Sequence, residues 1–259
     1  MRIAVYGTGD SCKFFLQRLN KFNIILEAAA KDRKIDLSIS IVYFVETIAS
    51  KSVYQGKPVV SALDIQAEDF DYLAIARDYE EAGASAISVL TEPYFFQGSN
   101  DYLSDIAKNV SIPILRKDFV VDEYMIWEAK ALGASAILLI VSILDIVQLK
   151  KYLDLAHELG LSAIVETHDG DEIRRALTVG AEIIGVNNRN LQDFTVDIEN
   201  SIDLRRCVSG DVVFISESGI KTVEDVNRLK ENDVDAVLIG ETLMKSDDKK
   251  AMIEELKNG

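Results

Sequence analysis

The sequence predicts an α/β protein in which parallel strands alternate with helices and close into a (β/α)8 barrel. From residue 81 onward, a helical stretch that ends on glycine or a polar turn precedes a short β-rich run, and this unit recurs. Each run is apolar on both faces, which is typical of strands covered by helices on one side and core on the other. Seven such units in a row favour a closed barrel over an open doubly wound sheet. The open sheet stays the alternative, because periodicity does not detect the reversal of winding that defines it.

The individual barrel elements follow from this repeat. A helix C-terminus needs a left-handed residue, and glycines at 83, 133, 160 and 180 stand at that place. The gaps between predicted strands are 20 to 29 residues, one βα unit each, which calls for parallel strands with right-handed crossovers. The predicted strands begin near residues 86, 112, 136, 162, 182, 211 and 236.

An eighth strand must come from the first 80 residues. The segment DFDYLAIARDYEEAGA (69–84) has apolar residues at helical spacing and predicts the helix before the strand at 86. Its first part, 69–76, also fits a strand, but a helix is preferred because the pattern runs unbroken into the residues that follow. The first barrel strand is then either ISIVYFVE (39–46) or KPVVSAL (57–63).

The opening of the chain differs in kind. MRIAVYGTGDSCKFFLQRL reads as a strand, a glycine turn and an amphipathic helix. Gly7-Thr8-Gly9 resembles the start of a dinucleotide fingerprint, but Cys12 occupies the third glycine position. Half a Rossmann-like βαβ unit with a structural role is therefore favoured over nucleotide binding, for which Glu46 is the candidate ribose acid. We expect residues 1–68 to be this half module, supplying or replacing the first barrel strand, and residues 69–259 to be the barrel units.

Composition excludes several classes of protein. The 259 residues hold 28 Lys and Arg against 43 Asp and Glu, a net charge of −15, which argues against a nucleic-acid or anionic-membrane partner. The longest apolar stretch, AILLIVSIL (136–144), is far shorter than the roughly 20 residues of a membrane span. Two cysteines, Cys12 and Cys207, form neither a disulfide framework nor a zinc motif. The N-terminus does not have the pattern of a signal peptide, so a cytoplasmic protein without a metal is expected.

Candidate catalytic groups follow the predicted strands, since barrel enzymes carry their sites at the C-terminal strand ends. A lysine, a glutamate and an asparagine converging on one mouth suit acid–base chemistry, because mutual charge and burial shift their pKa values. A structural ion pair between Lys117 and Glu166 is the alternative. The residues at these ends are Thr91, Glu92, Lys117, Asp118, Ser142, Glu166, Asn187, Arg189, Glu217, Ser218, Gly240 and Glu241.

The last two strands end in SESGI (216–220) and LIGETLM (238–244). Backbone N–H groups of Gly219, Gly240 and Glu241, helped by a short helix N-terminus, predict a phosphate cradle. Glycine suits such a site because the ligand approaches the backbone closely. A pair of tight turns without a ligand is the alternative, and phosphate binding is favoured over it.

Seven motifs taken together resemble the indole-3-glycerol phosphate synthases of tryptophan biosynthesis. They occur in the family's order between about residues 69 and 258: ISVLTEPYFFQGS, IPILRKDFVVDEY, AILLIV, VETHD, IIGVNNRNL, ISESGI and VLIGETLM. The resemblance implies a TIM barrel of the phosphate-binding type, with no cofactor and no metal. It also implies the reaction, which is ring closure of 1-(2-carboxyphenylamino)-1-deoxyribulose 5-phosphate to indole-3-glycerol phosphate with loss of CO2 and water.

The resemblance also assigns roles. Lys117 matches the general acid that protonates the substrate carbonyl, and Glu166 matches the carboxylate of the later proton transfer and dehydration. Asn187, Glu217 and Ser218 match residues that orient the substrate and the intermediate. His168, beside Glu166, is interpreted as a rim residue. The phosphate site maps to Gly219, Gly240 and Glu241, and the substrate pocket to Phe96, Phe119, Leu138, Ile140 and Arg189.

The first strand departs from the family pattern. Family members carry a motif of the form EIKKASPSKG, whose Glu and Lys point into the site, whereas ETIASKS (46–52) is the nearest match here. Glu46 stands for the acid and the lysine has no counterpart, so we expect turnover below that of an intact family member. Two alternatives follow: a non-catalytic hybrid barrel that retains only phosphate binding, and a nucleotide-binding module fused to a barrel. In either catalytic or scaffold form, a monomer with a phosphorylated small-molecule ligand is expected.

Overall fold

Eight parallel strands form a closed barrel in this computed structural model, which describes residues 40–45, 52–54, 57–59, 70–93, 95–190 and 195–258. The predicted (β/α)8 barrel is confirmed. The seven repeat strands begin within two residues of their predicted positions. In chain order, the barrel strands are β1 (Ser40–Val45), β4 (Ala86–Leu90), β5 (Ile114–Lys117), β6 (Ala136–Ile140), β7 (Ser162–Thr167), β8 (Ile183–Asn187), β9 (Val213–Glu217) and β10 (Ala236–Ile239).

Strand β1 closes the barrel between the second and the eighth strand. Val42 pairs with Ala86 on β4, and Ile41 pairs with Val237 on β10. Of the two sequence candidates, the segment 39–46 therefore supplies the first strand. The other, 57–63, contributes β3 (Lys57–Val59), which pairs antiparallel with β2 (Ser52–Tyr54). Pro58 has no N–H to donate, which makes that segment unsuited to a strand paired on both sides.

Helices connect the strands and begin at capping side chains. Asp71 accepts a hydrogen bond from the Ala74 N–H at the start of the helix predicted over 69–84, which confirms helix over strand there. Asp122, Asp145 and Thr222 cap three later helices in the same way. The helices are α1 (Tyr72–Glu81), α2 (Asn100–Asn109), α3 (Glu123–Leu132), α4 (Ile146–Glu158), α5 (Gly170–Thr178), α6 (Glu199–Arg205), α7 (Val223–Glu231), α8 (Glu241–Lys245) and α9 (Lys249–Asn258), with a 3-10 turn at Val141–Ile143.

The helix-ending glycines adopt the predicted left-handed conformation. Gly133 ends α3 with φ +96°, and its N–H donates to the carbonyls of Ala129 and Lys130. The glycines at 83, 160 and 180 also have positive φ. These turns reverse the chain from each helix into the next strand, so every unit delivers its strand end to the same face of the barrel.

Two apolar cores position that face. An inner cluster fills the barrel between the strands and includes Leu115, Leu138 and Leu238, each about 1% exposed. A larger outer cluster packs the strands against the helices. The filled interior leaves the C-terminal mouth as the place where a ligand can enter.

Some sequence predictions lie outside the described residues. Residues 1–39 and 46–51 belong to this part of the chain, and with them the Rossmann-like half module, Gly7-Thr8-Gly9 and Glu46. The division at residue 68 thus stays a prediction. Within the described ranges, no helix is long and apolar enough to cross a membrane. The same ranges hold no group of three His, Cys, Asp or Glu side chains arranged for a metal ion.

Candidate active site

Four strand ends bring a polar centre together at the barrel mouth. Lys117, Asn187 and Glu217 are the last residues of β5, β8 and β9, and Glu166 is next to last on β7. Strand register explains the convergence, since Glu217 lies opposite Asn187 on the neighbouring strand. Parallel strands in a barrel direct their carboxyl ends to one rim, so residues far apart in sequence become neighbours.

Lys117 lies between two carboxylates. Its Nζ atom is 3.3 Å from Glu166 Oε2 and 3.8 Å from Glu217 Oε2. Asn187 Nδ2 donates to the other Glu166 oxygen, Oε1, at 3.3 Å. The side chain of Lys117 is 13% exposed, whereas that of Glu166 is 4% exposed. The ion pair that the sequence left as a structural alternative thus exists, and Lys117, Glu166 and Asn187 also line the cavity.

The Glu166 carboxylate keeps its charge despite burial. Burial raises the pKa of Glu166, but Lys117, His168 and the hydrogen bond from Asn187 outweigh it, so the net pKa lies below the ordinary value. An ionised carboxylate close to a lysine can accept a proton from a bound molecule.

Glu217 has the opposite character. Its side chain is 1% exposed, and it lies beside the Glu166 carboxylate with the Lys117 ammonium 3.8 Å from its Oε2 atom. Burial and the adjacent Glu166 carboxylate raise the pKa of Glu217 to about 8. Two neighbouring carboxylates that share one region rarely both ionise, so Glu217 holds a proton near neutral pH while Glu166 does not.

His168 reaches inward from the rim toward Glu166. Its Nε2 atom is 3.6 Å from Glu166 Oε1, and Nδ1 is 3.2 Å from Glu172 Oε2. Burial lowers the pKa of His168. The hydrogen bond to Glu172 and the charge of Glu166 together raise it by more, so the net pKa is above the ordinary value. The sequence marked His168 as a neighbour of Glu166 without predicting this contact.

A cavity of about 860 Å³ opens above this centre. Phe96 and Phe119 form one wall, with stacked rings 4.8 Å apart, and Ile140 adds aliphatic surface. Leu138, predicted as a pocket residue, lies instead in the inner core beneath the cavity. It precedes Ile140 by two residues on the same strand face, one layer farther from the mouth.

The opposite wall is built from the last two barrel turns. Ser218 and Gly219 both have positive φ, +67° and +84°, and Gly219 packs against Val196 so closely that a Cβ would lie 2.4 Å from its Cγ1 atom. Gly240 precedes the short helix α8 and, with Ser218 and Gly219, lines the cavity. Backbone N–H groups exposed in a turn at the edge of a sheet can form a concave site that suits an anion.

Charged side chains complete this wall. Arg189 Nη2 is 3.3 Å from Glu241 Oε2, and Lys245 Nζ is 2.6 Å from Glu241 Oε1. The hydrogen bond from Lys245 lowers the pKa of Glu241, and Arg189 lowers it further against partial burial. Sequence analysis missed Lys245, although its position four residues after Glu241 on a helix is a readable signal.

A second buried polar cluster lies behind Lys117. The guanidinium of Arg116, 3% exposed, donates from Nη2 to Asp118 Oδ2 at 3.1 Å and to Glu128 Oε2 at 2.7 Å. Its Nε donates to Thr91 Oγ1 at 3.0 Å. Sequence analysis missed Arg116, whose signal was a charge inside an otherwise apolar strand. The cluster fixes the backbone on both sides of Lys117.

Comparison with known proteins identifies the family. The family model for indole-3-glycerol phosphate synthase matches residues 53–256. The chain belongs to the indole-3-glycerol phosphate synthase family. The match begins after β1, so the first barrel strand lies outside it, at the place where the synthase motif EIKKASPSKG is missing.

Relatives in the synthase family are close. A protein named indole-3-glycerol phosphate synthase from Lachnoclostridium phytofermentans is 58% identical over 192 residues, which cover 74% of this chain and 71% of the relative. One of the same name from Ruminiclostridium cellulolyticum is 48% identical over 239 residues, 92% of this chain and 86% of the relative. The second alignment leaves out only 20 of the 259 residues, so it extends into segment 1–68.

Solved structures share the fold at low identity. A 3-hexulose-6-phosphate synthase from Salmonella typhimurium superposes with a TM-score of 0.67 at 13% identity, covering 85% of this chain and 97% of that one. A thiamine phosphate pyrophosphorylase from Pyrococcus furiosus gives 0.60 at 15% identity, covering 86% and 95%. These likenesses support the barrel and nothing beyond it.

Proposed function

We propose that this chain is an indole-3-glycerol phosphate synthase, a carbon–carbon lyase of tryptophan biosynthesis. Its substrate would be 1-(2-carboxyphenylamino)-1-deoxyribulose 5-phosphate, which closes to indole-3-glycerol phosphate with loss of CO2 and water. Family membership and the names of its relatives support this assignment. The single observation that carries it is the Lys117–Glu166 pair at the floor of a cavity of suitable size.

The first role falls to Lys117. Carbon–carbon closure onto a ketone places negative charge on the carbonyl oxygen, and a proton delivered there removes it. The ammonium of Lys117 lines the cavity and is held by the carboxylates of Glu166 and Glu217. Loss of CO2 from the ring carbon then leaves the electron pair that restores the double bond.

The second role falls to Glu166. Elimination of water from the closed ring requires a base that removes a proton and an acid that protonates the departing hydroxyl. The lowered pKa of Glu166 supports its ionised form, and Asn187 holds its Oε1 oxygen. Glu166 can pass that proton to Lys117 across their 3.3 Å contact, which restores both groups. The departing hydroxyl takes its proton from solvent, and this is the one proton consumed when a carboxylate substrate loses CO2 and water.

The cavity walls suit the two ends of this substrate. The stacked Phe96 and Phe119 offer an apolar surface for the anthranilate ring. Gly219, Gly240 and the Glu241 N–H offer a backbone cradle for the phosphate, with Lys245 as a nearby cation on the cavity wall. We propose both as binding surfaces, with Arg189 and Ser218 between them.

The hybrid scaffold is the competing proposal. It predicts phosphate binding without turnover, because the backbone cradle does not depend on the altered first strand. The paired geometry of Lys117 with Glu166 favours catalysis over it. The fused nucleotide-binding module concerns residues outside the described part of the chain. The monomeric state and the cytoplasmic location remain predictions from sequence.

One assay separates these proposals. The purified chain is incubated with the substrate, and indole fluorescence is followed. We expect turnover that Lys117→Met abolishes and that Lys108→Met leaves unchanged, because Lys108 is an exposed lysine on α2. A rate as high as that of an intact family member would refute the effect expected from the missing first-strand lysine.

Absence of turnover is interpreted with a second measurement. Millimolar inorganic phosphate is added, and the amide signals of Gly219, Gly240 and Glu241 are followed by NMR. Shifts at these amides without turnover would support the scaffold proposal. Neither shifts nor turnover would overturn both.

A further inference from the structure

His168 lies between two carboxylates at the edge of the site, and no role has been assigned to it so far. Its backbone N–H donates to Glu172 Oε2 at 2.8 Å, and the ring atom Nδ1 is 3.2 Å from the same oxygen. Asn200 Nδ2 donates to the His168 carbonyl at 3.4 Å. Three contacts therefore hold both the backbone and one ring edge, which leaves the imidazole little freedom.

The other ring edge faces the catalytic centre. Nε2 is buried, has no hydrogen-bond partner among the described residues, and lies 3.6 Å from Glu166 Oε1. The side chain of His168 is 17% exposed and that of Glu172 15% exposed. A ring nitrogen buried this close to a carboxylate, without another partner, interacts with it mainly through charge.

Acidic groups surround the imidazole. From the described part of the chain, it is faced by Glu166 on β7, which ends one residue before His168, by Glu172 on α5 and, farther away, by Glu217 on β9. Lys117 lies beyond Glu166, on the opposite side of that carboxylate. Partners of one sign favour the cationic imidazole, as the raised pKa of His168 also indicates.

We propose that His168, anchored by Glu172, is a positioning residue that keeps the negative charge of the buried carboxylate pair on Glu166 rather than on Glu217. The distances from Lys117 and His168 to the two carboxylates support this proposal. Lys117 approaches both carboxylates, at 3.3 and 3.8 Å, and so distinguishes them weakly. His168 is 3.6 Å from Glu166 and farther from Glu217, so it adds a second cation that acts more strongly on Glu166 than on Glu217.

The inference gains weight from the proposed reaction, on which its catalytic part rests. Once Lys117 has given its proton to the substrate, it no longer neutralises Glu166. His168 is then the cation within 4 Å of Glu166 in the described residues, and it holds that carboxylate ionised for the proton removal that follows. Glu217 meanwhile keeps its proton and stays out of that step.

The placement of charge can be tested without substrate. The chain contains two histidines, His157 and His168, so His157→Asn assigns the imidazole NMR signals. We expect the pKa of His168 to lie above that of an ordinary histidine. Glu166→Gln should lower it, because a neighbouring negative charge is lost, while Glu217→Gln should leave it nearly unchanged, because that group is already neutral.

Activity provides the second arm. In His168→Asn, the acid limb of the kcat profile should move upward by about one pH unit, a tenfold loss of rate on that limb. KM should change less than twofold, and His157→Asn should match the unmodified chain. Glu172→Gln, which loosens the anchor, should move the limb partway.

The titration and the activity measurement test the placement of charge and the proposed function separately. If Glu217→Gln lowers the pKa of His168 as much as Glu166→Gln does, or if neither substitution moves it, the proposal is overturned whether or not the chain is active. If the titrations agree but no turnover is found, the proposed function fails and the placement of charge stands. An unchanged pH profile in an active His168→Asn variant would refute the catalytic part.

Discussion

At the scale of single residues, close packing around Glu217 places a strict demand on its neighbour. Gly185, in the middle of β8, lies directly under the Glu217 carboxylate. A Cβ atom built there would be 2.0 Å from Glu217 Oε1 and 3.0 Å from Ile164 Cγ2. This glycine is needed for close approach and not for a turn, since its strand is regular.

Gly185→Ala should therefore push the Glu217 carboxylate out of its place. The cost of overpacking a buried site is typically about 1–3 kcal/mol, measurable as a lower free energy of unfolding in urea. Gly210→Ala is the matched control, because no atom lies within 4 Å of its built Cβ. Equal effects of the two substitutions would contradict the packing argument.

At the scale of elements, one buried arginine ties two strands to a helix. Arg116 on β5 bonds to Thr91 after β4, to Glu128 and the Met125 carbonyl on α3, and to Asp118. Lys117 follows Arg116 on β5. The orientation of Lys117 is thus a property of three packed elements and not of the strand alone.

Arg116→Met should be strongly destabilising, because it leaves buried acceptors without their cation. Breaking a buried pair by removing one partner typically costs about 3–5 kcal/mol. Arg174→Met is the control, since Arg174 pairs with Asp171 at the exposed surface, where such pairs contribute little. Urea unfolding of both variants decides the point. A loss for Arg116→Met no larger than for the control would show that the cluster is dispensable.

At the scale of the whole molecule, stability should depend on pH through the buried carboxylates. The pKa of Glu217 is about 8 in the folded chain against an ordinary 4.5, so the folded state binds more protons between these values. The contribution of Glu217 to the free energy of unfolding is fully present below about pH 4.5 and is lost as the pH rises toward 8. The raised pKa of His168 acts in the same direction above 6.5, while the lowered pKa of Glu166 contributes only under acid conditions.

We therefore expect the free energy of unfolding to fall as the pH rises from 5 to 8, by at most about 1.4 kcal/mol per pH unit from Glu217. Glu217→Gln should flatten this fall, because the amide does not titrate. Glu254→Gln, at an exposed position on α9, removes the same formal charge and should keep the slope. Denaturant unfolding at several pH values measures both. The same slope in Glu217→Gln and the unmodified chain would place the titration elsewhere.

Prediction from sequence was most accurate for features that depend on interactions between residues close together in the chain. The order of strands and helices follows from spacing, and the left-handed glycines follow from helix termination. The motif around Lys117 and that around Glu166 also pointed to the right strand ends. Leu138 was assigned to the pocket through the resemblance to the family, whereas it lies in the inner core, because the depth of a side chain in a barrel depends on the neighbouring strands.

What the sequence determined by itself is the repeating βα unit, the strand ends that hold the chemistry and the family to which they belong. These depend on neighbours a few residues apart, where periodicity, capping and motif are readable. The tertiary structure alone decided which of two segments closes the barrel, that His168 turns inward, and that burial beside Glu166 raises the pKa of Glu217 while Lys117 and His168 lower that of Glu166. Those outcomes depend on distances between different strands and on the exclusion of water. Coulomb and desolvation energies follow from these distances in three dimensions, and the order of residues along the chain does not give them.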